Sequence, residues 1–443
     1  MRRKTSSLLL LVLMSTSAAG QELPGIPVPG GTGSNSHGRP LTIQEAEAFA
    51  LKNNPQITVG KLQALEAQQY VREVRSALLP QASLNLTGVG ADEGGRLAAG
   101  YLTNGRIFSR IAEGGAVSQL ITDFGHTRNL VSSSQYQAKA ADETAVATKQ
   151  QIILAVDQAF YNSLETNALL AVAADTVKAR QLLADQIHAL TDAKLKSDLD
   201  LSFAKVDLAR AELLLLDTQN NYDASLATLS AILGYADRQD FVLVEPSEPI
   251  APPVPNAAPL IQEALDQRPE VRGLRDEITA AEKFSRSEHD LWRPTVNALG
   301  VVGQAPVRDN NITSWYGAAG VNINIPIFNG FLFNARAKTA DLAAESQRKQ
   351  LQDLQNNVAR DVRNSWLNTA KAYQRLSVTK QLREEAALSL ELAQERYRIG
   401  LGTIVEFSQA ELQKTDADIQ DTDARYEYRL SQILLAYEMG MQR

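Results

Sequence analysis

Two short motifs in the chain resemble sequences that bind nucleotides. Asp123-Phe124-Gly125 spells the metal-binding triplet of protein kinases, but no glycine-rich phosphate loop and no catalytic-loop motif accompanies it. Gly88-Val89-Gly90, with Gly94-Gly95 after it, resembles a phosphate loop but precedes further loop residues and a strand pattern instead of a helix. We therefore exclude a kinase and interpret the glycines as a hairpin bend.

Other residues that could do chemistry are sparse or scattered. The sequence has no cysteine, which excludes disulfides, thiolate metal ligands, a thiol nucleophile and a lipid anchor on an N-terminal cysteine. Its histidines lack the i, i+4 spacing of a metal-binding pair, and we interpret them as solvent-facing: His37, His126, His188 and His289. Most carboxylates fall on predicted helix faces, without the cleft that acid–base catalysis needs. We therefore predict no enzyme activity, no catalytic residue, no cofactor and no metal site.

The charge of the chain excludes one class of partner. Its formal net charge is -7, with 44 Lys and Arg residues against 51 Asp and Glu residues. A surface that neutralises phosphates needs an excess of Lys and Arg, so we predict that the protein does not bind nucleic acid.

Residues 1–20 have the pattern of a secretory signal peptide. A basic start, Arg2-Arg3-Lys4, precedes an apolar run over 8–14 and then small residues, and we predict that the segment is removed. Residues 21–40 are rich in Gly, Pro and Ser and are predicted to be flexible. No other apolar run reaches the length of a membrane-spanning helix, so a membrane location would require a β-barrel.

The rest of the chain is predicted to be a tandem duplication. A Pro-rich linker over 241–260 separates a first structural repeat over 41–240 from a second over 261–443, and no helix can persist through that linker. Short motifs recur in the same order in the two repeats. One example is Ile43-Gln44-Glu45-Ala46, which recurs as Ile261-Gln262-Glu263-Ala264.

Each repeat contains helix patterns of coiled-coil length. Neither Gly nor Pro occurs from His126 to Leu233, and apolar residues within this run follow helical spacing. The second repeat has a matching run interrupted at Gly400-Leu401-Gly402, which places the turn of the first repeat near 191–198. We predict a helix of about 65 residues and a returning helix of about 37 in each repeat, after a shorter helix.

The segments after Pro80 and Pro294 change to a period of two. Apolar and polar residues alternate over 315–325 and again over 82–87. Alternation over about ten residues is typical of transmembrane β-strands. We predict two strands in each repeat, with each proline at a helix–strand junction, where a fixed φ and a missing N–H suit the change of course.

Four strands are too few to close a barrel within one chain, because single-chain barrels begin at about eight strands. The loops that join the two strand pairs are predicted to be polar and to span 92–105 and 304–314. We therefore predict that a barrel is assembled from several chains.

The duplicated order of helix, strand pair, long helix and returning helix behind a signal peptide resembles the TolC-like outer-membrane efflux family. Leu120-Ile121-Thr122-Asp123-Phe124-Gly125 and Pro326-Ile327-Phe328-Asn329-Gly330 are similar to the strand-to-helix turns of that family. The segment from Glu395 to Glu406 is similar to its second-repeat hairpin tip. The resemblance covers nearly the whole chain after the flexible segment.

This resemblance implies a mainly α fold with a transmembrane β-barrel. A homotrimer would close twelve strands into one barrel in outer-membrane lipid and twelve helical columns into a long α-helical tunnel. The resemblance also implies the exit duct of a tripartite efflux or type I secretion system, a passive conduit whose partners are a periplasmic adaptor and an inner-membrane transporter. The expected location is the outer membrane, with an extension into the periplasm.

The resemblance further implies a periplasmic aperture at the hairpin tips. The family's second-repeat tip carries a tyrosine, an arginine and two carboxylates that help to hold the mouth shut, and the matching residues here are Tyr397, Gly402, Glu406 and Gln409. The arginine and one carboxylate are therefore missing. Asp200 of the first repeat is expected to form a ring of carboxylates with its symmetry copies, as is Glu406. Asp198 is assigned either to the aperture or to the cap of the returning helix.

A periplasmic coiled-coil adaptor or scaffold protein is the alternative function. An adaptor normally has one helical hairpin flanked by Gly-rich β-domains, whereas this sequence predicts two hairpins that flank strand pairs. The sequence therefore favours the duct.

Overall fold

The computed structural model describes residues 39–90, 96–99, 102–106, 109–246, 249–305 and 313–441. The predicted signal peptide, nearly all of the predicted flexible segment and parts of both predicted polar loops lie outside the described residues. Within these ranges, no helix combines the length and the apolar character that crossing a membrane requires.

Each half of the described chain has four helices. The first half contains α1 (Ile43–Asn53), α2 (Pro55–Ser76), α3 (His126–Asp192) and α4 (Asp198–Ile232). The second contains α5 (Ala258–Gln267), α6 (Pro269–Asp290), α7 (Leu332–Arg398) and α8 (Ile404–Glu438). Helices α3 and α7 have 67 residues each and α4 and α8 have 35 each, in agreement with the predicted long and returning helices. Each long helix therefore extends about 100 Å.

The helices pack side by side, with α3 in contact with α2, α4, α6 and α8. Apolar side chains at helical spacing on α3 form the largest buried cluster, together with α1 and the C-terminal end of α4. Val156 and Phe160 are completely buried in it, beside Leu229. Full burial of a side chain of this size contributes about 1.5–3 kcal/mol, so this cluster anchors α1 and α4 to the long helix.

Strands form three small sheets in the described residues. Their bounds are β1 (Arg39–Leu41), β2 (Gln81–Val89), β3 (Arg96–Ala99), β4 (Leu102–Arg106), β5 (Arg110–Thr122), β6 (Phe241–Leu243), β7 (Thr295–Gln304) and β8 (Trp315–Asn324). The main sheet is antiparallel with the order β2-β5-β7-β8, while β1 pairs with β6 in parallel. Strands β3 and β4 pair with each other inside the segment predicted to be a polar loop over 92–105, so that prediction was wrong for these strands.

The register of the main sheet separates an apolar face from a polar face. Residues opposite each other in an antiparallel pair lie on the same face. Ile323 lies opposite Val296, and the same alignment continues across the sheet. The apolar face carries Leu84, Leu86, Val117, Val302, Trp315, Val321 and Ile323, all of them exposed. The polar face carries Gln81, Ser83, Asn85, Thr87, Ser118, Asn297, Asn322 and Asn324.

The two predicted junction prolines lie directly before strands. Pro80 precedes β2 and Pro294 precedes β7. The preceding helices end at Ser76 and Asp290, and a short turn lies between each helix and the proline. In the first repeat this turn includes a hydrogen bond from the backbone N–H of Leu79 to the carbonyl oxygen of Ser76, 3.0 Å long. Each proline therefore lies at a helix–strand junction, directly before the first residue of a strand.

Asp123-Phe124-Gly125 forms the turn between β5 and α3. The Asp123 carboxylate accepts hydrogen bonds from the backbone N–H groups of Gly125, at 3.2 Å, and Thr127, at 2.7 Å. Gly125 has a φ of 125°, which a residue with a Cβ rarely adopts. Asp123 therefore accepts hydrogen bonds from backbone N–H groups at the start of α3, and its role in this motif is structural.

Candidate functional site

The first hairpin tip, residues 193–197, joins α3 to α4 and is closed by a capping box. Ser197 accepts a hydrogen bond from the backbone N–H of Asp200 at 3.1 Å, and the Asp200 carboxylate accepts one from the N–H of Ser197 at 3.3 Å. Ser197 is thus the cap residue, and the alternative assignment of Asp198 to the cap was wrong. Asp200 lies in the first turn of α4, next to the tip, and its carboxylate is held there by the backbone N–H of Ser197.

The second hairpin tip, residues 399–403, has a looser arrangement. Thr403 accepts a hydrogen bond from the backbone N–H of Glu406 at 3.2 Å. The Glu406 carboxylate lies 3.8 Å from the guanidinium of Arg396, and both side chains are more than half exposed. Such an exposed ion pair holds its partners weakly, so the Glu406 side chain faces solvent.

Tyr397 lies inside the contact between the two tips. Its ring is 8% exposed and stacks on Phe407 at a centroid distance of 5.6 Å. The Lys196 ammonium lies 3.8 Å from the ring centroid on the side of the first tip. Burial raises the pKa of Tyr397 to about 12, and the charge of Asp200 adds to this effect. The hydroxyl of Tyr397 has no hydrogen-bond partner among the described residues.

Gln409 lies apart from these residues, on a groove between α4 and α8 with a volume of about 290 Å³. Its apolar walls are the exposed side chains of Leu199, Phe203, Val206, Val405 and Leu412. Ser202, Asp207, Arg210, Ser408 and Gln409 complete the lining, and we call the whole the tip groove. The structure thus brings Tyr397 close to Asp200, pairs Glu406 with Arg396 and places Gln409 on a different surface. Whether these residues line an aperture stays a prediction.

Two larger concavities lie along one face of α3, and the sequence analysis did not identify them. The concavity nearer the hairpin tips, which we call the lower one, measures about 920 Å³. The one nearer the main sheet, the upper one, measures about 580 Å³. Gln137 lines the upper and Ala155 the lower; they are 155 − 137 = 18 residues apart, which is about five helical turns and therefore the same face. Phe160, buried against α1, is on the opposite side from Gln158 and Asn162, because residues two apart on a helix differ by about 200°.

The lower concavity is acidic. Glu165 of α3 faces Asp423 and Glu427 of α8 there, and Arg375 of α7 forms an ion pair with Glu427. Burial raises the pKa of Glu165 to about 7, and the negative charges of Asp423 and Glu427 add to the shift. The described residues contain no group of histidines and carboxylates that could hold a metal ion.

The described histidines make local contacts instead of facing solvent freely. His126 contacts the hydroxyl of Ser287 at 2.9 Å, and His188 pairs with Asp192 at 3.1 Å. His289 lies 3.2 Å from Asp341. The interpretation of these three histidines as solvent-facing was therefore incomplete, because each contacts a side chain of its own helix or of a neighbouring helix.

Comparison with known proteins agrees with this architecture. The chain matches the model of the family described as outer membrane efflux protein over residues 49–235 and 260–440. It is 25% identical to the outer membrane protein TolC of Salmonella enteritidis over 422 residues, which cover 90% of this chain and 83% of that protein.

Solved structures show the same fold. The Campylobacter jejuni CmeC outer membrane channel superimposes with a TM-score of 0.79 at 17% identity, covering 90% of this chain and 85% of that one. The Neisseria gonorrhoeae MtrE outer membrane channel, solved in its open state, gives a TM-score of 0.74 at 16% identity and covers 90% of both chains. Since the family model matches most of its residues, the chain belongs to the outer membrane efflux protein family.

Proposed function

We propose that three copies of this chain close into one passive duct. A member of this family is an outer-membrane exit duct of the efflux type that extends into the periplasm. The observation that carries the trimeric duct is the main sheet, in which β2 and β8 are the terminal strands. A terminal strand offers unpaired N–H and C=O groups, and pairing β8 of one copy with β2 of the next removes both free edges.

The two faces of the sheet support closure in a membrane. Exposed apolar side chains such as Leu84 and Val321 suit lipid, while Asn85 and Asn322 on the other face suit a water-filled interior. Three copies supply three times four strands, which exceeds the minimum of about eight for a closed barrel. The concavities along α3 would then line the periplasmic tunnel.

The proposed partners are a periplasmic adaptor and an inner-membrane transporter. The tip groove suits the adaptor, because an apolar groove between two helices can take the apolar face of a third. The transporter would deliver the substrate into the duct, whether for drug efflux or for type I protein secretion. The comparisons give no support to the alternative that the chain is itself an adaptor or scaffold.

We expect the double variant Asp200→Asn, Glu406→Gln to reduce the cation preference of the duct. In a trimer, each carboxylate lies near its two copies around the axis, and such a ring attracts cations. The asparagine side chain can still accept the cap hydrogen bond from Ser197, and Thr403 still caps α8, so both tips stay folded. The ratio of cation to anion permeability, measured from reversal potentials in planar bilayers, should fall by about twofold or more.

A control variant neutralises one exposed carboxylate on α3, about five helical turns from the first tip. Asp175 and Lys178 form an exposed pair on α3, and the variant Asp175→Asn should leave the permeability ratio unchanged. If the tip variant and the control behave alike while both form trimers, Asp200 and Glu406 do not line the aperture.

A further inference from the structure

The helix ends that lie next to the main sheet carry an excess of positive charge. The seven residues nearest the sheet in each of α2, α3, α6 and α7 contain six cations and three carboxylates: Arg72, Glu73, Arg75, Arg128, Arg286, Glu288, Asp290, Arg336 and Lys338. The whole chain has the opposite balance, with 44 Lys and Arg residues against 51 Asp and Glu residues. Glu288 and Asp290 are buried and paired with arginines, at 2.6 and 3.0 Å. The exposed charge at this level is therefore mainly positive.

One cation on each of these helices faces away from the upper concavity. Each lies nine residues from a residue that lines this concavity: Arg72 from Gln63, Arg128 from Gln137, Arg286 from Glu277 and Lys338 from Gln347. Nine residues make about two and a half helical turns, so the two members of each pair point to opposite sides of their helix. In the proposed duct the concavities line the tunnel, and these four cations therefore lie on its outer surface. We call Arg72, Arg128, Arg286 and Lys338 the basic belt.

The cations of the basic belt are available to a ligand. All four are exposed, and none forms an ion pair with another residue of the described ranges. Arg286 and Lys338 line a concavity of about 500 Å³ between α6 and α7. The carboxylates in its lining have partners of their own: Glu282 and Glu345 pair with Arg348, and Asp341 contacts Ser285 and His289. This outer concavity therefore offers two cations without a counter-charge.

Exposed apolar side chains continue from β8 toward the start of α7. Ile323, Ile325 and Ile327 keep the alternation of the strand and are 60%, 60% and 89% exposed. Lys338 lies six residues into α7, about 9 Å beyond its start at Leu332. In the proposed duct the isoleucines contact hydrocarbon. The headgroup layer beyond the hydrocarbon is about 5–8 Å thick, and long Lys and Arg side chains can extend into it.

We infer that the basic belt binds the phosphate groups of anionic phospholipids in the leaflet that faces the periplasm. A guanidinium or ammonium group offers a phosphate both charge and hydrogen bonds. A lipid fits this surface better than a free phosphate ion, because the apolar side chains next to the belt would contact the acyl chains of the same molecule. The inference rests on the proposed function, since it requires the main sheet to lie in the membrane.

Quenching of tryptophan fluorescence by brominated lipids tests the inference, because Trp292 lies beside the belt. Its indole N–H donates a hydrogen bond to Asn334 at 3.2 Å, one helical turn before Lys338. Trp315→Phe with Trp366→Phe leaves Trp292 as the single tryptophan. Trimers of this parent are reconstituted with brominated phosphatidylglycerol or brominated phosphatidylcholine of the same acyl chains. At low salt, phosphatidylglycerol should bind near Trp292 more tightly than phosphatidylcholine by about fivefold or more.

The belt is then weakened in the same parent. Arg286→Gln with Lys338→Gln should lower this preference by about fivefold or more, and each single change should give an intermediate value. The control Lys371→Gln with Lys380→Gln removes two exposed cations from α7 about 50 Å or more farther from the main sheet, and should leave the preference unchanged. In about 1 M salt the preference of the parent should disappear, because charges are then screened within about 3 Å.

Equal binding of the two lipids beside Trp292 at low salt would overturn the inference, as would a preference that the changes at Arg286 and Lys338 leave intact. Absence of quenching by either lipid would place Trp292 outside the bilayer and would also overturn it. The same samples are assayed for trimers and for ion current. Any of these results in a conducting trimer rejects the basic belt and leaves the duct standing, whereas samples with neither trimers nor current reject the proposed function itself.

Discussion

Leu84→Arg should prevent most of the protein from assembling in the outer membrane. Leu84 lies near the middle of β2 on the apolar face of the main sheet, and it is 74% exposed in the single chain. In the proposed duct this side chain contacts lipid, where an arginine near the bilayer midplane costs about 2–4 kcal/mol in each copy. The measurement is the amount of heat-modifiable trimer recovered from outer-membrane fractions, which should fall well below the wild-type level.

The adjacent residue provides the control. Asn85 belongs to the same strand but lies on the polar face, so Asn85→Arg would point into water and should assemble nearly as well as the natural chain. If the two variants were equally impaired, or if Asn85→Arg were the worse of the two, the assignment of the faces would be reversed or wrong.

Gly303→Ala should destabilise the main sheet. A Cβ at this position would lie 2.5 Å from the carbonyl oxygen of Glu113 and 2.6 Å from the hydroxyl of Tyr316, which lies across the glycines of the polar face. Tyr316 can move aside, but the Glu113 backbone belongs to the neighbouring strand and cannot move without disturbing the ladder. Overpacking of this kind costs about 1–3 kcal/mol, and the apparent melting temperature of the trimer should fall accordingly.

Gly300→Ala on the same strand is the matched substitution. A Cβ there meets no atom within 4 Å, and the residue lies on the apolar face. This variant should melt within experimental error of the natural protein. A similar loss in both variants would show that strand flexibility, and not the close approach of Tyr316 and Glu113, explains the glycine at 303.

The long helices were predictable because their signal is strong and local. A run without Gly or Pro from His126 to Leu233 leaves the chain few ways to end a helix, and the turn at 193–197 could be located by comparison with Gly400-Leu401-Gly402. The strands were predictable from alternation, which the register later assigned to two faces of one sheet. In both cases, patterns within one segment decide the structure.

Shorter and less regular features were missed. Strands β3 and β4 have four and five residues, too few for alternation to stand out among polar loop residues. The cap of α4 was one of two roles considered for Asp198, although Ser197 followed by Asp200 three positions later has the spacing of a capping box and could have identified the cap. The strands were missed because their sequence signal is weak, whereas the signal for the Ser197 cap was present in the sequence and was overlooked.

The buried ion pair of Arg180 with Glu411 and the concavities could not be predicted because they depend on tertiary packing. Arg180, Asp207 and Glu411 each look like ordinary solvated residues on an amphipathic helix, and Glu411 is 231 positions from Arg180 (411 − 180). Only the side-by-side arrangement of α3, α4 and α8 buries them together. The same holds for Glu165 and Asp423, whose shared environment comes from two helices of different repeats.

Recording from planar lipid bilayers tests the central claim, a trimeric duct, most directly. Purified protein whose detergent-corrected mass corresponds to three chains should produce discrete current steps of uniform size, with a preference for cations that agrees with the excess of Asp and Glu over Lys and Arg in the chain. Trimers that insert into the bilayer, as judged by recovery of the protein with the lipid, but carry no current above the background would contradict the account.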